Sequence, residues 1–112
     1  MTDCLFCNIR DGGIPADIIY EDDDCMAFRD INPKAPVHFL VIPRRHMENL
    51  FDATPSDEGL LGRIQLRIQQ IAKEQGLDSG FRTVLNTGPG GHQEVYHMHY
   101  HVLGGGPFSG FN

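Results

Sequence analysis

Between Glu94 and Leu103 the chain reads EVYHMHYHVL, with His97, His99 and His101 at every second position of an otherwise apolar run. A helix makes no use of a period of two, because its side chains recur every 3.6 residues. A strand does, sending successive side chains to opposite faces. The spacing therefore predicts a strand with the three histidines on one face, spanning about 13 Å, and Met98, Tyr100 and Val102 on the other. A single histidine there would simply be the polar residue of a half-exposed strand. Three in register are different: aligned imidazoles repel when protonated, which lowers their pKa values and keeps some neutral, the form that serves as nucleophile, base or metal ligand.

Such a strand needs partners, and the remaining sequence supplies them. DIIYED and CMAFRD, rich in β-branched and aromatic residues and separated by Asp22-Asp23-Asp24, predict a hairpin. NPKAP marks a loop, and VHFLVIP reads as a strand closed by Pro43. Leu60, Leu61, Ile64, Ile68, Ile71 and Ala72 recur at helical spacing between Ser56 and Gly76, the one long helix. FRTVLN is a further strand, TGPGGH a loop, and GGGPFSGFN a loose tail. Strands, a helix, then strands give an α+β domain with a mainly antiparallel sheet and the helix on one face.

With 112 residues, 40% of them hydrophobic, the chain fits one domain over 1–112 and leaves no room for a second. No apolar run approaches the roughly 20 residues of a membrane helix, and MTDCLFCNIRDGG lacks the features of a signal peptide. A cytoplasmic location without a membrane partner is expected. A net charge of −6 argues against tracking along DNA or RNA, though not against one phosphate held locally. Loop NTGPGGHQ, just before the histidines, suits a phosphate, because its glycines let backbone N–H groups approach an anion, with Asn86 and Gln93 as further polar contacts. A neutral imidazole attacking phosphorus, a second neutralising its oxygens and a third group protonating the leaving atom would divide the work of nucleotidyl transfer.

HMHYHVL matches the His-x-His-x-His-apolar-apolar motif of the histidine triad family, and DINPKAPVHFLVIPRRH is similar to that family's earlier stretch. The resemblance runs from Cys4 to Gly105. Leu103-Gly104-Gly105 is similar to the Hint branch, the nucleoside phosphoramidases; the branch hydrolysing dinucleoside polyphosphates tends to carry a proline and a basic residue there. The resemblance implies a five-stranded, mainly antiparallel sheet with one long helix and a short N-terminal helix. It also implies a homodimer paired through the long helix and an adjoining strand.

Residue by residue, the resemblance makes His99 the nucleophile that forms a nucleotidyl-histidine intermediate and places His101 at the phosphate and leaving group. His38 takes the place of a fourth active-site histidine with an orienting role. Asp30 matches the aspartate that accepts from the ribose hydroxyls, and Leu5, Phe6, Ile9, Phe28 and Ile31 fall where the family builds a slot for the purine. His92 replaces a glycine of the phosphate loop, and Glu94 stands where some members touch the phosphate through serine. The implied activity is hydrolysis of purine nucleotide phosphoramidates or aminoacyl-adenylates, with no metal needed for the chemistry. Its rivals are dinucleoside polyphosphate hydrolysis and a nucleotide-binding scaffold with vestigial turnover. A three-histidine catalytic metal site is the reading that the family match disfavours.

Three cysteines, an odd number, do not suggest a disulfide framework in a reducing compartment. Cys4 and Cys7 suit adjacent corners of a tetrahedral zinc site, a redox pair, or buried free thiols; Cys25 reads as a small core residue. The resemblance favours structural zinc, held by Cys4, Cys7, His46 and the first triad histidine, His97, which would then be scaffold rather than catalyst.

Overall fold

The computed structural model describes residues 2–110. Asp22 makes the first hairpin: its Oδ1 accepts from the backbone N–H of Asp24 at 2.7 Å and of Cys25 at 2.9 Å, a side-chain turn that aspartate forms readily. The turn joins β1 (Ile18–Glu21) to β2 (Cys25–Arg29), and β2 pairs with β3 (Val37–Pro43). With β4 (Arg82–Leu85) and β5 (Tyr100–Gly104) they form a five-stranded antiparallel sheet in the order β1-β2-β3-β5-β4. A short helix, α1 (Leu5–Arg10), begins the chain, and the long helix, α2 (Glu58–Glu74), separates β3 from β4. No helix among the described residues is long and apolar enough to cross a membrane.

The central strands β2 and β3 are buried on both faces, and period two divides their side chains between two cores. Ala27, Phe39, Val41, Met98, Tyr100 and Val102 pack with Ile64, Ile68, Ile71 and Ala72 of α2, the stripe that the helical spacing predicts. Met26, Phe28, Leu40 and Ile42 face the other way and meet Phe6 and Ile9 of α1. Helix α2 ends at Gly76, whose φ of +80° suits a residue without Cβ, while Leu77 N–H returns to the Ala72 carbonyl at 2.9 Å. Leu77 in turn seats on Gly104: a Cβ there would lie 2.3 Å from a Leu77 methyl carbon. The glycine after the triad therefore has a packing reason.

The hairpin, the VHFLVIP strand, the long helix and the strand within FRTVLN all form where the sequence places them. The last strand differs. It begins at Tyr100, not at Glu94, where its pairing with Val41 of β3 and Leu85 of β4 starts. Just before it, Met98 N–H turns to the Met47 carbonyl at 2.6 Å, an acceptor in the segment that follows β3. His97 and His99 thus stand ahead of the strand, although the alternation of faces persists through them. The tail from Gly105 has no regular structure as far as it is described, but it is not wholly loose: Arg82 lies 4.8 Å from the Phe108 ring centre and donates to the Ser109 carbonyl. Its last two residues lie outside the described ones.

Candidate functional site

The α1 side of the sheet gathers the histidines. His38 pairs in register with Leu103, and Leu40 with His101, so His38 and His101 are diagonal neighbours on one face. Their Nε2 and Nδ1 atoms are 3.0 Å apart. His99 follows at 5.0 Å between ring centres from His101, and Phe6 of α1 stands edge-on to both His97 and His99.

Hydrogen bonds to backbone groups fix which nitrogen of each ring is bare. His99 Nδ1 is 2.8 Å from the His97 carbonyl; a carbonyl only accepts, so Nδ1 carries the proton and Nε2 keeps its lone pair. His97 Nε2 donates to the Pro43 carbonyl at 2.8 Å, leaving Nδ1 bare. His38 Nδ1 accepts from the Lys34 N–H at 3.0 Å, so its Nε2–H points at His101 Nδ1, and His101 is left with its proton on Nε2. The site thus holds a bare nitrogen on His99 beside an N–H donor on His101.

All four rings favour the neutral form. His97 and His101 are both pushed down to about 4, and His38 and His99 are lowered. Burial, which penalises the charged ring, comes first for each; the mutual repulsion that the sequence spacing suggests is a secondary cause for His97 and His101 and not a cause for His38 and His99. Asp30 Oδ2 lies 3.5 Å from His38 Nε2, and Oδ1 accepts from the Asn32 N–H at 2.8 Å. Asp30, His38 and His101 bring ligand atoms within 4.8 Å of one another, but a cation would need a bare Nε2 on His38. The Lys34 N–H opposes that tautomer, so this group is a hydrogen-bonded relay rather than a metal site.

A second cluster adjoins the first. Cys4 Sγ and Cys7 Sγ lie 3.3 and 3.5 Å from the bare Nδ1 of His97, and His46 Nδ1 lies 3.2 Å from it and 3.5 Å from Cys7 Sγ. Zinc bonds of about 2.3 Å to sulfur and 2.0 Å to nitrogen put tetrahedral ligand atoms roughly 3.3–3.8 Å apart. The four residues fit zinc in donor type and spacing. Burial pushes the Cys7 thiol up to about 11, a cost that a bound dication reverses by taking the thiolate. The Pro43 carbonyl orients His97 as metal-bound imidazoles are usually oriented.

The other sequence-predicted residues divide. Phe6, Ile9 and Phe28 are buried in the smaller core, while Leu5 is 42% and Ile31 90% exposed, so these two are rim rather than slot. Asn86 is half-buried in the loop after β4. Gln93 is a brace: Oε1 accepts from Gly88 N–H and Asn49 Nδ2, and Nε2 donates to the Glu48 and Val95 carbonyls, so its side chain has no capacity left for a phosphate. The loop amides are also engaged, with Gly88 donating to Gln93 and Gly91, His92 and Gln93 to carbonyls within the loop. Those four amides are therefore not open to an anion as the sequence reading expects. His92 takes a left-handed φ of 62° and pairs with the exposed Glu94 at 3.0 Å. Two surface hollows, of about 330 and 600 Å³, lie elsewhere and include none of the histidines.

Sequence reasoning missed Asn49 and the backbone groups of Lys34, Pro43 and His97. Main-chain donors and acceptors leave no mark on residue identity, and Asn49 stands in no recognisable pattern.

The HIT domain family model matches residues 11–108. A HIT-like protein of Synechococcus elongatus is 54% identical over 103 residues, 92% of this chain and 90% of that protein. The crystal structure of a HIT family hydrolase from Legionella pneumophila superposes with a TM-score of 0.92 at 45% identity, covering 96% of each chain. A zinc-bound histidine triad family protein from Mycobacterium smegmatis superposes with a TM-score of 0.77 at 36% identity, covering 91% of this chain and 74% of that one.

Proposed function

The chain belongs to the HIT domain family, and on that premise we propose that it is a hydrolase of the Hint type, cleaving purine nucleotide phosphoramidates and related nucleotidyl compounds through a covalent intermediate on His99. The observation that carries this reading is the pair of opposed tautomers, a bare His99 Nε2 beside a His101 Nε2–H. In the first step His99 Nε2 bonds to phosphorus as the P–N bond breaks. His101 gives its Nε2 proton to the leaving nitrogen and takes one from solvent at Nδ1, favoured by the bound phosphate's negative charge, as the His38 Nε2–H turns to Asp30 Oδ2; the solvent proton is released again when the attacking water protonates Nε2. Water then attacks phosphorus, returns a proton to His101 and frees His99. Asp30, with Oδ2 toward the site, accepts from the ribose hydroxyls, and Leu5 and Ile31 close on the base from the rim above Phe6, Ile9 and Phe28.

Two associated assignments accompany the reaction. Cys4, Cys7, His46 and His97 hold a zinc ion whose work is to cross-link the N-terminal segment to the histidine strand; the similarity to a zinc-bound protein supports it. A second copy of the chain pairs along α2 and the open edge β4, supported by Leu66 of α2 being 59% exposed. Sedimentation giving a 12.5 kDa species at micromolar concentration would exclude the pairing.

Rapid quench with an adenosine phosphoramidate tests the main reading. A nucleotidyl adduct on His99 supports it; an adduct elsewhere, or faster turnover of diadenosine polyphosphates, rejects it. Saturable nucleotide binding without hydrolysis would leave only a scaffold.

A further inference from the structure

One main-chain donor decides the state of two rings. Lys34 N–H lies 3.0 Å from His38 Nδ1. An amide nitrogen can only donate, so His38 Nδ1 must be bare and its neutral ring must carry the proton on Nε2. That proton faces two acceptors, His101 Nδ1 at 3.0 Å and Asp30 Oδ2 at 3.5 Å. His101, accepting at Nδ1, keeps its own proton on Nε2. Reversing the first bond would reverse the rest: His38 protonated on Nδ1 would accept from His101 Nδ1–H, and His101 would turn a bare Nε2 to the substrate. Two bare nitrogens would then stand side by side with no donor for the departing group.

The loop around Lys34 is built to hold that amide in place. Asp30 N–H donates to the His38 carbonyl at 3.1 Å, extending the β2–β3 pairing by one bond, and Asp30 Oδ1 takes the Asn32 N–H at 2.8 Å. Pro33 and Pro36 fix φ on either side. The Lys34 side chain is not part of this: it is exposed, and its Nζ donates to the Asn32 carbonyl at 3.1 Å.

We propose that the backbone N–H of Lys34 is a positioning group for the reaction: it sets the tautomer of His38 and, through it, holds His101 as the N–H donor opposite the bare nitrogen of His99. The catalytic part of this rests on the proposed function; the tautomers do not.

Nitrogen-15 spectra of the imidazoles, recorded on zinc-loaded protein without substrate, test the tautomers directly. The wild type should show unprotonated Nδ1 on both His38 and His101, and Lys34→Ala, which keeps the amide, should match it. Lys34→Pro deletes the N–H and should move both rings toward the Nδ1–H form by roughly tenfold in tautomer ratio. Its turnover should fall below that of Lys34→Ala by a similar factor on a phosphoramidate with a poor leaving group, and little with an acidic one. A protonated His38 Nδ1 in the wild type would overturn the proposal even if Lys34→Pro does not fold. So would a folded Lys34→Pro with unchanged tautomers. Changed tautomers with turnover intact on the poor leaving group would reject the positioning role, whereas an unmoved wild-type pattern in a protein that hydrolyses no nucleotide would sink the reading of the reaction and leave the tautomer assignment standing.

Discussion

The two faces of the sheet are made by the same strands and have little else in common. Toward α2, side chains such as Phe39, Val41, Met98 and Val102 are apolar and fully or almost fully buried under a 17-residue helix. Toward α1 the cover is six residues long, and imidazoles take the places that the other face gives to aliphatic groups. Every second residue from His97 to Val102 belongs to one face or the other. The chain thus builds stability and chemistry from one stretch without mixing them, since a substitution on one face leaves its neighbours' side chains pointing away from the change.

That separation can be broken by experiment, and the largest effect should come from His99→Ala. Removing the attacking atom should lower turnover by roughly 10⁴-fold or more on every substrate, with little change in the melting temperature. A loss that depended on the leaving group would mean that His99 is not the nucleophile. His101→Ala should cost roughly 10²- to 10⁴-fold on a poor leaving group and much less on an acidic one; equal losses across leaving groups would remove its role as acid.

On the opposite face, Phe39→Ala should destabilise by about 3–5 kcal/mol in denaturant titration while the folded fraction keeps the wild-type turnover number. A turnover number that fell with stability would show that the faces are coupled. Cys4→Ser sharpens the comparison from the thinly covered side: zinc content by elemental analysis and melting temperature should fall together, because metal that binds only the folded state stabilises it. Zinc-free protein purified without chelators, with unchanged melting in the variant, would remove the assignment.

The smallest effect is a pH dependence that belongs to the histidine face alone. His101 titrates near 4 when folded and near its ordinary value of about 6.5 when unfolded, so between these the unfolded chain binds more protons. Stability from this ring is complete above about 6.5, declines as the pH falls through the interval, and is fully lost below about 4. His101→Gln should flatten that part of the stability profile. A variant with the wild-type slope would assign the titration to another group.

Period two in EVYHMHYHVL and helical spacing from Leu60 to Ala72 made the architecture legible, because burial imposes both patterns directly on residue type. The site was legible only in part. His99, His101 and His38 come together in one cluster, and Cys4, Cys7, His46 and His97 in another, and both are made of side chains whose type a sequence shows. Gln93 was misplaced because its amide serves a brace as well as it would serve a ligand, and one sequence does not distinguish the two. The bare and protonated nitrogens were not legible at all, being set by the carbonyls of Pro43 and His97 and the amide of Lys34, which any residue but proline, in the last case, would supply.

The contact between Cys4 and His97 joins positions 93 residues apart, and this gives the molecule an order in time. A chain closes short loops before long ones, so the β1–β2 hairpin and α2 can form while the cluster of Cys4, Cys7, His46 and His97 still lacks a member. Cys4 and Cys7 are made before the segments that carry His46 and His97, and wait as a loose two-sulfur hook until both histidines have followed. A zinc ion held by these four side chains would therefore be completed late in assembly, and one captured early by the two thiols alone would have to be held, or exchanged, until His97 arrives.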